Sequence, residues 1–522
     1  MLPPDSLLTP SFSSSKRVAQ GINSSWKFYK GADAPTNGQG QACWEDVDLP
    51  HTWNAEDVMA DEPGYYRGIG WYQKELFIPE GWQEKQVYIH FEGASQVTEL
   101  FVNGKSAGSH VGAYTAFNFN ISGFIHQGIN AIRVKVDNSF NPDIIPVSGD
   151  FSVYGGIYRS VYLVVLGQDH FDMNNYASNG VFISTPHVSA EAATVRVKGR
   201  VSTKQKLKVL TTIYDKGGDK IAESTVSPDG DGSFSTDVTI KSPHLWAPDH
   251  PYLYRVVNAL VGAKDGTLLD EVINPLGFRW YSFDPERGFI LNGEPLKLIG
   301  ANRHQDFRGL GSALPDILHV NDVQLLKDMG GNFLRVSHYP QAPALMEACD
   351  RLGILVSVET PGNNKITESE EFARVTLEMQ REMIRQNYNH PSVIIWSYMN
   401  EVLLGLPSYR SDAPKLEHYL EKVRNLATEI ETLCREEDPE RYTMIAFHGD
   451  LDLYKRAGLI DVPQVVGWNL YQGWYDGEFE DFEKFLLRFK EEYPNRPMIV
   501  SEYGADSDYR LHILAPARFD KT

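Results

Sequence analysis

The chain has 522 residues, 42% hydrophobic and 23% charged; at about 100 to 200 residues per domain this calls for several folded units, and the composition is far from that of disordered chains. Its 49 lysines and arginines against 69 aspartates and glutamates leave a net charge of −20, which removes nucleic acid and acidic membranes as default partners, because neutralising phosphates needs basic surface. Three cysteines (Cys43, Cys349 and Cys434), with no Cys-x-x-Cys and no Cys/His cluster, exclude a disulfide framework and a structural zinc site.

In chain order, the opening MLPPDSLLTPSFSSSKR lacks a charged start followed by an apolar core, so no leader is expected in this chain, and no apolar run is long enough for a membrane helix. Residues 14–168 read as short alternating stretches broken by Gly, Asn, Asp and Pro: VYIHFEG, TELFVNG, INAIRVKVDN and YRSVYLVVLG. Their period of two, with no helical period between them, predicts a β jelly-roll sandwich of the sugar-binding kind. Residues 169–276 continue with ATVRVKGRVS, KLKVLTTIYD, GSFSTDVTI and YLYRVVNALV, a size and spacing that fit an immunoglobulin-like β-sandwich.

From 277 to 522 strands alternate with helix-period segments, the rhythm of a parallel sheet. The strand candidates are LKLIGAN, NFLRVSH, GILVSVE, VIIWSYM, YTMIAF, VVGWNLY and PMIVSEY; DILHVNDVQLLKDMG, APALMEACDRLG, ESEEFARVTLEMQREMIRQN, KLEHYLEKVRNLATEIETLC and EDFEKFLLRFKEE read as helices. This predicts a (β/α)8 TIM barrel with its chemistry at the carboxyl ends of the strands. Only GADSDYRLHILAPARFDKT follows the seventh strand, so the expectation is a barrel that stops short of its eighth.

Polar residues gather at those strand ends: Asn302, Arg303, His304 and Asp306 after the first, then Arg335, His338, Glu359, Asn400, Glu401, His448, Asn469, Tyr471 and Glu502. Glu401 and Glu502 are the pair that matters, since two carboxylates across an aromatic cleft suit glycosidic bond cleavage. One protonates the leaving oxygen; the other attacks the anomeric carbon or activates water. The cleft is expected to be walled by Trp396, Trp468, Tyr471, Trp474 and Tyr503, flat rings that also stack on sugars.

Three segments, NFLRVSHYPQAPALMEACDRLGILV (Asn332 to Val356), NHPSVIIWSYMNE (Asn389 to Glu401) and SEYGAD (Ser501 to Asp506), resemble the signatures of family 2 glycoside hydrolases, the family of β-galactosidases, β-glucuronidases and β-mannosidases. LPHTWN, YYRGIGWYQK and HLWAPDHPYLY extend the resemblance over the whole chain. It implies a retaining mechanism with Glu401 as acid/base and Glu502 as nucleophile, their carboxyls about 5 to 5.5 Å apart. Glu401 must then stay protonated near neutral pH, through burial or through Glu502, while Glu502 stays ionised. The resemblance also implies that Asn400 binds the substrate 2-hydroxyl, that Tyr471 orients Glu502, that His304, His338 and Trp474 contact the sugar, and that Arg335 pairs with a carboxylate to orient a catalytic residue. Asp150, before FSVYGGIYR, would reach from the first domain into the sugar pocket.

Within the family, the segment from Leu49 to Lys74 and the tail SEYGADSDYRLH resemble the β-galactosidase branch. The leading expectation is therefore a β-galactosidase, with β-glucuronidase or β-mannosidase as the alternatives. In family glucuronidases an Asn-x-Lys motif beyond the seventh strand reads the substrate carboxylate, and this sequence ends before that position. The large galactosidases hold magnesium with Glu-x-His after the third strand; here SVETPGNNKI has no histidine, so no metal and no cofactor are expected. A carbohydrate substrate is the one partner implied; a homo-oligomer is compatible, as are cytoplasmic and leader-stripped periplasmic or secreted locations. An inactive carbohydrate-binding fragment is the competing reading, favoured by the missing eighth strand, and a purely structural adhesin would not need two glutamates at one barrel mouth.

Overall fold

The computed structural model describes residues 14–33, 44–60, 64–408, 410–508 and 512–514. Cys43 and the Tyr509–Leu511 part of the tail lie outside the described residues.

The first unit is two antiparallel sheets face to face. One orders Val18–Gly21, Val161–Leu166, Gln86–Phe91 and Phe117–Asn120; the other Glu45–Val47, Trp26–Lys30, Ile69–Ile78, Gly128–Asp137, Val97–Val102 and Lys105–Val111. The period of two in INAIRVKVD decides which side is inside: Ile132, Val134 and Val136 are buried against Trp26, Tyr72, Phe91 and Leu163. In the second sandwich Ala192–Ser202 pairs with Val181–Val188 and Ser233–Lys241, facing a sheet of Lys220–Val226, Leu207–Tyr214, Tyr254–Gly262 and Leu268–Leu276.

The third unit is a seven-stranded parallel sheet in sequence order, curled into a nearly closed barrel. Its strands are β1 (Gly300–Asn302), β2 (Phe333–Val336), β3 (Leu355–Asn363), β4 (Val393–Asn400), β5 (Tyr442–His448), β6 (Val465–Leu470) and β7 (Met498–Tyr503). Helices α1 (Asp316–Asp328), α2 (Pro343–Leu352), α3 (Glu370–Asn387), α4 (Ala413–Glu437), α5 (Leu451–Ala457) and α6 (Phe479–Glu492) form the outer layer. β3 and β4 are buried at every position, as expected of strands covered by side chains inside and helices outside. Ser369, Asp412 and Asp450 cap α3, α4 and α5 by accepting backbone N–H groups, supplying partners the first turn lacks. Between β7 and β1, the Asn302 Nδ2 donates to the Ser501 carbonyl at 3.1 Å.

Two differences from the sequence reading stand out. LKLIGAN contributes only Gly300–Asn302 to the barrel, because its first half turns back: the Leu296 N–H donates to the Phe289 carbonyl, tying it to a hairpin of Tyr281–Asp284, Gly288–Leu291 and Glu294–Pro295. That hairpin buries Phe283, Phe289 and Leu291 with Trp246 against Phe333, Leu355, Ile395, Met444 and Val465, plugging the barrel at the amino ends of its strands. The short α5 between β5 and β6 was not among the helices read from sequence; its seven residues offer too little periodicity.

Candidate active site

The site stands at the carboxyl ends of the strands, and Arg335 on β2 is its hub. It is 1% exposed. Its Nε and Nη2 donate to Glu359 of β3 at 2.8 to 3.1 Å, its Nη1 to Glu502 Oε1 at 2.5 Å and its Nη2 to Asn400 Oδ1 at 3.0 Å. Burial works against the guanidinium charge, but the carboxylates of Glu359 and Glu502 outweigh it and hold the proton more firmly than usual. Glu359 shows the reciprocal effect: burial raises its carboxyl, and Arg335 with His338 pulls it below its ordinary value. His338, in the loop after β2, hydrogen-bonds Glu359 Oε1 through Nδ1 at 2.8 Å and sets its Nε2 3.8 Å from Glu502 Oε1.

Asn400 and Glu401 follow one another, so a regular strand would send their side chains to opposite faces. The strand is not regular there. Its register shifts against β3 between Thr360 and Asn363 and against β5 between Ser397 and Asn400, and Met399 and Glu401 take left-handed backbone angles, φ 64° and 50°. Such angles are costly for residues with a Cβ and persist where the surroundings hold them; here they turn both side chains into one mouth. On β7 another register shift, where Trp468 pairs with Val500 but Asn469 with Glu502, inserts Ser501 as an extra residue.

Glu502 has both oxygens engaged, Oε1 by Arg335 and Oε2 by the Tyr471 hydroxyl at 2.8 Å. Tyr471 stays a phenol, since burial and then the Glu502 charge push its pKa upward. Glu401 accepts one hydrogen bond through Oε1, from Asn469 Nδ2 at 2.9 Å. Burial is the main force on it and the Glu502 charge adds to burial; the Asn469 bond opposes them, leaving its pKa at about 6. One carboxyl is thus held by a cation and a phenol, while its neighbour is disposed to carry a proton, the division of labour that acid and nucleophile need.

His304 has its Nδ1 3.1 Å from the Tyr339 hydroxyl and its ring edge-on to His338. Burial, and then His338, lower its pKa. Asp150 is exposed in a loop of the first unit, near enough for its charge to act on His304. The next residue, Phe151, packs its ring against His304, His338 and Tyr339 at 5.3 to 5.9 Å, so the first unit forms part of the wall. Trp474 is buried in the turn after β6, its backbone N–H donating to the Tyr471 carbonyl.

Other expected wall residues lie elsewhere. Trp396 and Trp468 are fully buried on the outer face of the barrel: Trp396 Nε1 donates to Asp438 beyond α4, and Trp468 packs on Phe485 and Phe489 of α6. Strand alternation explains this, since Ser397 and Gly467 next to them take the inward positions. Tyr503 is 71% exposed. His448 pairs with Tyr454 of α5, and Arg303 with Asp322 of α1. Conversely Glu359, Asn469 and Ser501 join the network; their only signal in the sequence is a place at a strand's carboxyl end. A cavity of about 610 Å³ where the three units meet around Glu92, Arg159 and Glu347 contains none of these side chains. Among the described residues no three His, Cys, Asp or Glu side chains gather as a metal site, and no helix is long and apolar enough to cross a membrane.

Comparison with known proteins matches the chain to three family models: Glycosyl hydrolases family 2, sugar binding domain over 18–166; Glycosyl hydrolases family 2 over 180–279; and Glycosyl hydrolases family 2, TIM barrel domain over 285–510. A protein of Formosa agariphila named putative beta-glucuronidase is 35% identical, the match covering 96% of this chain and 58% of that protein. A beta-glucuronidase of Bacteroides fragilis is 34% identical over 93% of this chain and 68% of its own. The crystal structure of a Bacteroides uniformis beta-glucuronidase superposes with a TM-score of 0.92 at 42% identity, covering 97% of this chain and 61% of that one. The chain thus spans about three fifths of the length of the Formosa and B. uniformis proteins.

Proposed function

The chain belongs to glycosyl hydrolases family 2, and from that premise we propose that it is a retaining exo-β-glycosidase acting on terminal β-D-glucuronides. The Glu401–Glu502 arrangement carries the reaction type. Glu401 gives its proton to the glycosidic oxygen as the bond to the anomeric carbon breaks, and Glu502 attacks that carbon to form a glycosyl ester. Glu401, now a carboxylate, takes a proton from water, whose oxygen displaces Glu502 and releases the sugar with its configuration retained. Asn400 and Tyr471 act as binding and supporting groups, Arg335 orients Glu502, and His304, His338, Trp474 and Asp150 line the sugar.

The sugar rests on the relatives. The B. fragilis and B. uniformis proteins are named beta-glucuronidase and the Formosa protein putative beta-glucuronidase, so glucuronides displace the galactosides that the sequence put first. A panel of aryl β-glucuronide, β-galactoside and β-mannoside tests this directly. Fastest turnover of the glucuronide, abolished by Glu502→Gln, is expected, with a 2-fluoro sugar trapped on Glu502 by mass spectrometry. A label on another residue would refute the assignment of the nucleophile, and a preference for galactoside would refute the sugar.

A further inference from the structure

Ser501 takes no part in the mechanism above, yet it is buried at the centre of the site's hydrogen bonds. Its hydroxyl donates to Asn469 Oδ1 at 2.7 Å, and the Asn469 Nδ2 donates both to Asn400 Oδ1 at 3.0 Å and to Glu401 Oε1 at 2.9 Å. Room for the hydroxyl comes from Gly467 on β6, where a Cβ would stand 2.9 Å from Ser501 Oγ. An amide has one acceptor end and one donor end. Turned over, Asn469 would aim its oxygen at the Asn400 oxygen and the Glu401 carboxyl, two acceptors; in the orientation seen its nitrogen serves both, and the Ser501 hydroxyl holds its oxygen from the other side.

We propose that Ser501 is a positioning residue, locking the Asn469 amide so that a single nitrogen aligns Asn400 and Glu401 for proton transfer; the proposal rests on the glycosidase reading and deepens it. Two consequences follow from counting donors. Glu401 Oε1 is occupied as an acceptor, so the transferable proton sits on Oε2. Asn400 Oδ1 is filled by Asn469 and Arg335, so Asn400 can offer a substrate hydroxyl only its nitrogen. The groups that face Glu401 electrostatically are Glu502, His338 and Arg335, with the phenols of Tyr454 and Tyr471; Asn469 is the neutral donor among them, and its bond opposes burial.

The test compares the full chain with Ser501→Ala and Ser501→Thr, which keeps the hydroxyl. In protein labelled with 13C at glutamate carboxyls, the Glu401 signal, assigned by its loss in Glu401→Gln, should titrate about half to one unit higher in Ser501→Ala than in the unaltered chain, and return toward the original value in Ser501→Thr. With an alkyl leaving group that needs the proton, kcat/KM should fall about ten-fold in Ser501→Ala; with dinitrophenol, which leaves without one, it should change less than about two-fold. An unmoved Glu401 midpoint, or equal losses on both substrates, would overturn the proposal. Failure of the unaltered chain to cleave either substrate would strike the glycosidase reading alone, since the titration still decides the role of Ser501.

Discussion

Replacing Arg335 by alanine tests the hub of the site through stability as well as turnover. The guanidinium serves Glu359 through Nε and Nη2 and Glu502 through Nη1, and the Glu359 side chain is 0% exposed. Truncating it leaves Glu359 with His338 as its remaining ring donor. Breaking a buried ion pair by removing one partner costs about 3 to 5 kcal/mol. At about 2 to 4 °C per kcal/mol for a unit of barrel size, the midpoint of thermal unfolding should fall by roughly 6 to 20 °C near neutral pH. The loss must also depend on pH. Burial alone would raise the Glu359 carboxyl, yet Arg335 first and His338 second bring it below its ordinary value. A depressed carboxyl contributes stability that is fully present above the unfolded value of about 4.3 and is lost as pH falls through the lower folded one. The unaltered chain and the variant should therefore converge as the medium is acidified. Calorimetry from pH 7 down to about pH 2 reads both effects. A gap under about 2 °C at pH 7, or one that does not narrow with acid, would refute the view of Arg335 as the charge that Glu359 requires. Glu359→Gln added to Arg335→Ala should recover part of the loss, because the uncompensated charge is then gone.

Glu401 gives a pH prediction of the opposite hand: burial, with the Glu502 charge adding and the Asn469 bond opposing, holds its pKa at about 6, and in the acid role proposed for it the carboxyl must be protonated. kcat/KM should thus fall as pH rises through about 6, and Glu401→Gln should abolish that limb in a pH-rate profile. Asp150→Ala should raise KM about ten-fold with kcat changed less than about three-fold, because an exposed loop carboxylate outside the proton-transfer network contributes binding; steady-state kinetics showing an equal loss in kcat would place it in the chemistry. Trp396→Phe should lower stability by about 1 to 3 kcal/mol, since Asp438 loses the indole donor at 3.0 Å, and leave KM unaltered; a KM shift beyond about three-fold would contradict its place on the outer face.

The order of units and seven parallel strands was legible because each rests on periodicity that burial imposes: two in INAIRVKVD, continuous apolar runs in VIIWSYM, and helical spacing in the segments between. The polar ends of those strands were legible for the same reason, as side chains that no buried strand would carry without a use. What escaped depends on departures from periodicity. A chemical reading by residue type put Trp396 and Trp468 in the cleft, whereas strand alternation sends them under α4 and α6. The same alternation, applied without exception, would have separated Asn400 from Glu401, which the left-handed angles at Met399 and Glu401 bring together. Asn469 and Ser501 were invisible as a pair because their link crosses from β6 to β7 at an inserted residue, and nothing local in either strand announces it.

The first unit joins the barrel at the loop that carries His338, and its charges explain why the two need each other. Arg159, 4% exposed, donates through Nη2 to Gln305 and to the Pro340 carbonyl, two residues beyond His338, and through Nη1 to the carbonyls of Glu92 and Tyr114 in its own unit. A buried guanidinium shared this way satisfies carbonyls on both sides, and a Pro340 carbonyl left without it would be an acceptor buried at a loss. Tyr114 stacks on Tyr339 at 4.4 Å and Phe151 covers the same ring, so the loop is held by packing and hydrogen bonds from outside the barrel. His338 in turn orients Glu359, Glu359 holds Arg335, and Arg335 holds Glu502. The jelly-roll unit therefore bears on Glu502, the proposed nucleophile, through a chain of buried contacts, independently of whether Asp150 touches a substrate.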